Sequence, residues 1–173
     1  MKSVIDTSTL ISLARINYLE LIPILRSDVV LPDEIYEEAV LKGEEKGFAD
    51  ATVIKTFIER YRIRILSVKT RYITGLRKKT NRILTVGDEA ALSLALQEGA
   101  SEIMADDDGL GKIAMVLGFD VKASPDLLME ELKRNALNHQ DFEALMRGLV
   151  IENRLGSAIA EFYIVEGRKD VEG

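Results

Sequence analysis

The chain has 173 residues, 47% hydrophobic and 30% charged, with a net charge of −6; this suits one compact domain and excludes a disordered chain. It has no cysteine and a single histidine, His139, which excludes disulfides, thiol catalysis and a multi-histidine zinc site. Any metal must take oxygen ligands, which points to Mg2+ or Mn2+. No apolar run approaches the roughly 18–20 residues of a membrane span, and the start lacks the apolar stretch of a secretory signal, so the expected location is cytoplasmic with no membrane partner.

Ser3–Ile5 reads as a first strand ending at Asp6. The segment "DTSTLISLARI" predicts a helix capped by Thr7 or Ser8, with Leu10, Leu13 and Ala14 at helical spacing. "YLELIPILRS" predicts a second short helix, and "DVVLP" a strand closed by Pro32. "DEIYEEAVLKG" reads as a helix with Asp33 near its start and Gly43 as its stop. "FADATVIKTFIERY" is amphipathic, and "RIRILSV" alternates as a strand does. Residues 70–86 read as a basic helix plus loop. "VGDEAALSLALQEGA" predicts a helix with Ala91, Leu92, Ala95 and Leu96 along one side and Gly99 at its end. "SEIMA" is a strand, "GLGKIAMVLGF" a helix and "DVKAS" a strand. "PDLLMEELKRNAL" is a helix with Pro125 in its first turn, "DFEALMRGLV" is helical, and "SAIAEFYIV" closes the chain as helix or strand.

Strands alternate with helices over the first 135 residues, the pattern of an α/β fold with a mostly parallel sheet. One domain is expected, with the last 40 residues as a helical appendix. Charge is unevenly spread. Between Lys55 and Arg82 there are ten bases against one acid, a net +9, so the remainder carries −15. Such a segment can serve as a polyanion-binding face or simply be a solvated helix and loop. Tyr61 and Tyr72 interleave with its arginines, where they can stack on bases or pack.

In open α/β sheets, ligands bind at the carboxyl ends of the strands. Asp6 follows the first strand, and Asp106 and Asp107 follow "SEIMA". Glu38 and Asp88 lie in the early turns of helices. Each has an ordinary account taken alone. Asp88 and Asp108 suit helix N-caps, and Glu38 suits a solvated surface among acidic neighbours. If Asp6, Asp88 and Asp107 converge, each close pair repels by about 4 kcal/mol at roughly 4 Å and an effective dielectric near 20. A bound cation relieves that, and carboxylate-held magnesium activating water beside a phosphodiester is the logic of metal-dependent nucleases.

The segments "VIDTSTLISLARI", "LPDEIYEEAV", "GDEAALSLALQEGA" and "IMADDDGLGKIAMVLGFDV" resemble, in this order, those of PIN-domain proteins, and most of all the prokaryotic relatives of VapC-type ribonuclease toxins. The similarity covers roughly residues 3–128, and "ENRLGSAIAEFYI" resembles the C-terminal extension of one branch. It implies a three-layer α/β/α sandwich around a mostly parallel sheet. The implied division is a nuclease domain over residues 1–128 and an extension over 129–173 packed on the same domain.

The resemblance also implies a divalent-metal ribonuclease acting on single-stranded RNA. Asp6, Glu38, Asp88 and Asp107 match the family's catalytic acids, with Asp6, Asp88, Asp107 and, as second choice, Asp106 as metal ligands. Ser8 matches a small polar residue that supports Asp6, and Asp108 remains a helix cap. Arg71, Arg77, Lys78, Lys79 and Arg82 are the candidate RNA contacts. A small antitoxin protein and a homodimer are the implied partners. Ala105 departs from the pattern, because the family usually places a hydroxyl there. That departure favours the alternative, a non-catalytic PIN-fold protein that binds RNA or a protein partner. A receiver domain would need its acid pair at the first strand, and a haloacid-dehalogenase-like phosphatase would need an aspartate where Ser8 stands.

Overall fold

The computed structural model describes residues 1–173, apart from the side chain of Glu172. Five strands form one sheet: β1 (Lys2–Ile5), β2 (Asp28–Pro32), β3 (Arg64–Leu66), β4 (Glu102–Met104) and β5 (Asp120–Lys122). Their order is β3-β2-β1-β4-β5 and every pairing is parallel, with Val4 opposite Val30 and Ile103, and Met104 opposite Lys122. Val4, Ile5, Val30, Leu31, Ile103 and Met104 are all buried, as expected when helices cover both faces of a parallel sheet. The outer strands β3 and β5 are three residues long and open on exposed Arg64 and Asp120. Short, charged edges of this kind discourage further pairing.

The helices that follow β1 and β2 are α1 (Thr7–Arg15), α2 (Leu21–Leu25), α3 (Asp33–Tyr36), a π-helical segment (Glu37–Leu41), α4 (Lys42–Glu45) and α5 (Ala49–Tyr61). After β3 come α6 (Thr70–Lys79) and α7 (Val86–Glu98). The remainder is α8 (Asp108–Val116), α9 (Ser124–Lys133), α10 (His139–Ile151) and α11 (Ser157–Glu172). α7 crosses β1, β2 and β4, with α3 and α6 packed against it. α1, α2 and α9 pack together, with α2 on β2 and α9 on β5. The result is the α/β/α sandwich. α10 and α11 pack on each other and on α9.

Three local readings of the sequence are corrected. α7 is not apolar on one side only: Ala90 through Ala95 are all buried, Ser93 included, because sheet and helices enclose the helix. Gly43 does not stop its helix. α3, the π segment and α4 run on with helical dihedrals, and Gly43 is buried where a Cβ would lie 2.7 Å from the Ala51 side chain of α5. The stop falls at Gly47, whose φ of +72° suits glycine. Asp6, and not Thr7 or Ser8, caps α1, because the chain turns into the helix directly from the strand.

A buried ion network ties the amino ends of the strands. Arg26 donates to both oxygens of Glu102 at 2.8 and 2.9 Å and to both of Glu130 at 2.8 and 2.9 Å. Ser3 Oγ donates to Glu102 at 2.8 Å. The guanidinium is held charged, its pKa raised by the hydrogen bonds from Glu130 and Glu102. Glu102 is 1% exposed, so this carboxylate is tolerable only because of its partners.

Candidate active site at the carboxyl edge

The strand order reverses direction between β1 and β4, which makes the crevice beyond their carboxyl ends the topological switch point. Asp6 leaves β1 there, and Asp106 and Asp107 leave β4. Asp6 N donates to Met104 O at 2.9 Å, so the β1–β4 ladder carries into the acid itself. Asp6 is 5% exposed.

Ser8 joins the two strand ends. Its Oγ donates to Asp6 Oδ2 at 2.6 Å and accepts from Asp106 N at 3.0 Å and Asp107 N at 3.3 Å. Its amide donates to the same Asp6 oxygen at 3.2 Å. One hydroxyl therefore fixes the first acid against the backbone that carries the next two.

The aspartate run divides differently from the expectation. Asp107, not Asp108, is the N-cap of α8, its Oδ1 accepting from Leu110 N at 2.8 Å; Asp108 is the first helical residue and exposed. Asp106 is partly buried and braced. Its Oδ1 accepts from Thr9 Oγ1 at 2.9 Å, Ser124 N at 2.7 Å and Ser124 Oγ at 2.9 Å. The three hydrogen bonds on this one oxygen tie α1 to the start of α9. Thr9 and Ser124 were not legible as its holders, since they become neighbours only in the fold.

Asp88 is not the cap of α7. Thr85 is, accepting from Asp88 N at 3.2 Å, and Asp88 sits in the first turn with its carboxyl available. Glu38 belongs to the π segment. The residue is exposed, but its carboxyl end turns inward over Gly87, where a Cβ would come within 2.6 Å of Oε2. The glycine makes room for that carboxylate. Thr7 Oγ1 is buried beside Glu38 without an aligned hydrogen-bond partner.

Three of these acids are shifted by burial and by their neighbours. Burial pushes the Asp6 carboxyl above its ordinary range, Ser8 pulls it back, and Asp107 adds to the rise. Burial raises Glu38, followed by the charge of Asp6, with Lys42 opposing. Asp88 is pushed up to about 6, first by burial and then by Asp6, with Asp107 and Glu38 adding to it. The amino end of the sheet balances its buried acid with an arginine. At the carboxyl end no lysine or arginine is bonded to Asp6, Asp88 or Asp107 among the described residues.

Among the described residues, no group of three or more His, Cys, Asp or Glu side chains is arranged to close around a metal ion. The side chains here offer only oxygen donors, the chemistry that a hard dication takes. Magnesium is commonly held through one or two carboxylates with waters completing its shell, which a spread-out group of acids permits.

The candidate RNA contacts are only partly free. Arg77 is engaged with both oxygens of Glu89 at 2.7 and 2.8 Å, and the Arg71 guanidinium lies 4.9 Å over the Tyr72 ring. Lys78, Lys79 and Arg82 are exposed and, among the described residues, in no ion pair. Tyr61 packs on Phe57, with the ring centroids 5.2 Å apart. His139 opens α10 and lies 3.1 Å from the Ile164 carbonyl of α11.

The fold is thus a parallel α/β sheet with acids gathered at its switch point. The family model described as PIN domain (DUF3368) matches residues 2–156, and the chain belongs to the PIN-domain family. The match runs through α10 and into the turn before α11. PIN domains are typically nucleases and generally use divalent metal ions. No curated protein is a significant match. No helix is long and apolar enough to cross a membrane among the described residues.

Proposed function

We propose that the chain is a divalent-metal-dependent endoribonuclease that hydrolyses single-stranded RNA, with Asp6, Glu38, Asp88 and Asp107 as its catalytic acids. The supporting observation is the gathering of these carboxylates at the carboxyl edge, where burial first and then the charge of Asp6 lift Asp88 to about 6. Asp6, Asp88 and Asp107 would hold Mg2+ or Mn2+, with Glu38 at the rim. A bound dication supplies a water of lowered pKa and neutralises charge on the phosphate. The protein's own part is positioning: Ser8 fixes Asp6, the α8 cap fixes Asp107, and Gly87 leaves space for Glu38. Asp106 is a brace in this scheme and not a ligand.

The order of the sequence segments supports a closer kinship with VapC-type toxins, and with it a small antitoxin partner and a homodimer. The test of the activity is cleavage of single-stranded RNA with manganese by wild type and Asp6→Asn. Cleavage by wild type alone is expected, and equal rates would remove Asp6 from the site. A non-catalytic RNA- or protein-binding PIN protein is the second reading, favoured by Ala105 and by the lack, among the described residues, of three acids arranged around a metal ion. Calorimetric titration with magnesium separates them, because a pure binding module does not need the ion in this crevice.

A further inference from the structure

We propose that the RNA strand crosses α8, with its phosphates on Lys79, Arg82 and Lys112 and one base in the cleft between Asp107 and α11. The proposal rests on the ribonuclease reading and names the path of its substrate.

Two adjoining cavities define the path. The first, about 210 Å³, lies between the end of α6 and α8 and is lined by Lys79, Arg82 and Lys112 with no acid. None of these cations is in an ion pair among the described residues, and Asp108, one turn before Lys112 on α8, does not close one with it. Three uncompensated cations around one small hollow repel each other and suit a polyanion. Arg77, three residues from Thr80, shows what a satisfied base looks like here, since Glu89 takes its guanidinium.

Lys112 also borders the second cavity, about 340 Å³, at the carboxyl ends of β4 and β5. That volume is of the size that holds a small-molecule ligand. Asp106, Asp107, Asp108 and Asp126 also line it, which suits a base better than a phosphate there, and Asp107 is the proposed catalytic acid that it reaches. Met115, Leu155 and Ile159 supply apolar wall, with Met115 58% and Ile159 53% exposed. Exposed aliphatic side chains flanking a charged cleft give the flat face of a base an apolar surface to pack on, which a bare phosphate site does not need. Arg154, from the turn before α11, completes the lining. It is held by neutral acceptors, Ser12 Oγ at 3.0 Å and Ser8 O at 3.1 Å, so its charge is positioned but not cancelled. A phosphate-binding hollow, a cleft sized for a nucleoside and the carboxylates thus lie in sequence around one helix.

The test is anisotropy of a labelled single-stranded RNA octamer on the Asp6→Asn protein in magnesium, so that binding is read without cleavage. Ile159→Glu is expected to weaken binding about tenfold, the loss of one stacked base. Lys112→Gln is expected to reduce the slope of log affinity against log salt by about 0.7, the loss of one phosphate contact. Both residues are exposed, so thermal melting should stay unchanged and separate binding loss from misfolding. Replacing one nucleotide of the octamer by an abasic one should reproduce the Ile159→Glu loss without adding to it. Binding that ignores both substitutions, or octamers that all bind alike wherever the abasic residue stands, would overturn the path. Failure of the ribonuclease reading appears elsewhere, as a wild-type protein that binds through these residues and never cuts.

Discussion

Removing the charge of Asp88 should stabilise the metal-free protein. The folded pKa of about 6 stands above the ordinary 3.8, so the folded state binds this proton more tightly than the unfolded chain does. Asp88 therefore contributes stability that is present at low pH and lost as pH rises through about 6. The shift, roughly two units, corresponds to about 3 kcal/mol at neutral pH. The side chain is only half-buried, and solvent screening leaves ~1.5 kcal/mol of it. Loss of a negative charge in the first turn of α7 costs about 0.5 kcal/mol in return. Asp88→Asn should then gain about 1 kcal/mol, or roughly 2–4 °C in Tm for a chain of this size. The assay is thermal melting in EDTA at pH 7.5 and pH 5, where the pH-dependent part of the gain should shrink by about half. Magnesium should raise the melting temperature of wild type and leave the variant behind. A variant that melts at or below wild type at pH 7.5 would refute the reasoning, as would a gain that does not change between the two pH values.

Gly87→Ala pushes a methyl against the Glu38 carboxyl, which is the free end of a flexible side chain. Stability should change by less than about 1 kcal/mol, while magnesium affinity by calorimetry falls several-fold; unchanged affinity would place Glu38 outside the site. Asp106→Asn keeps an oxygen for Thr9 and Ser124 and should cut RNA within about tenfold of wild type. Asp107→Asn should abolish cutting, and the reverse ranking would exchange their roles. Arg26→Ala strands the buried charge of Glu102 and should cost about 3–5 kcal/mol in urea melts. A loss below about 1 kcal/mol would mean that Glu102 takes up a proton or water instead.

The alternating strands and helices were legible because each carries its own period and its own stop. Asp6, Asp107, Asp88 and Glu38 could be picked out as acids at strand ends and helix starts, and their coupling appears only when β1, β4 and α7 meet. What each carboxylate does locally was less legible. A cap depends on where the first helical dihedral falls, and the role moved by one residue from Asp108 to Asp107 and by three from Asp88 to Thr85. The three bonds that brace Asp106 come from Thr9 and Ser124, at sequence separations of 97 and 18, which no spacing rule reaches. Lys112 and Arg154 escaped notice for a similar reason. Neither belongs to the basic segment, and their standing as uncompensated cations is a property of the folded surface.

The π-helical segment at Glu37–Leu41 gives one helix two phases. An α-helix advances about 100° per residue, and one extra residue in a turn rotates everything after it by that amount. Ahead of the insertion the helix packs on α7 and buries Ile35, and within it Glu38 meets Gly87; after it, Gly43 meets Ala51 of α5. A single-residue deletion between Glu37 and Leu41 would restore a regular helix and still allow one of these contacts to form. The other would be turned a quarter-circle away. Length variation in this helix is therefore a setting of the angle between an acid and its scaffold, and relatives one residue shorter here should carry their acid at a different position along the turn.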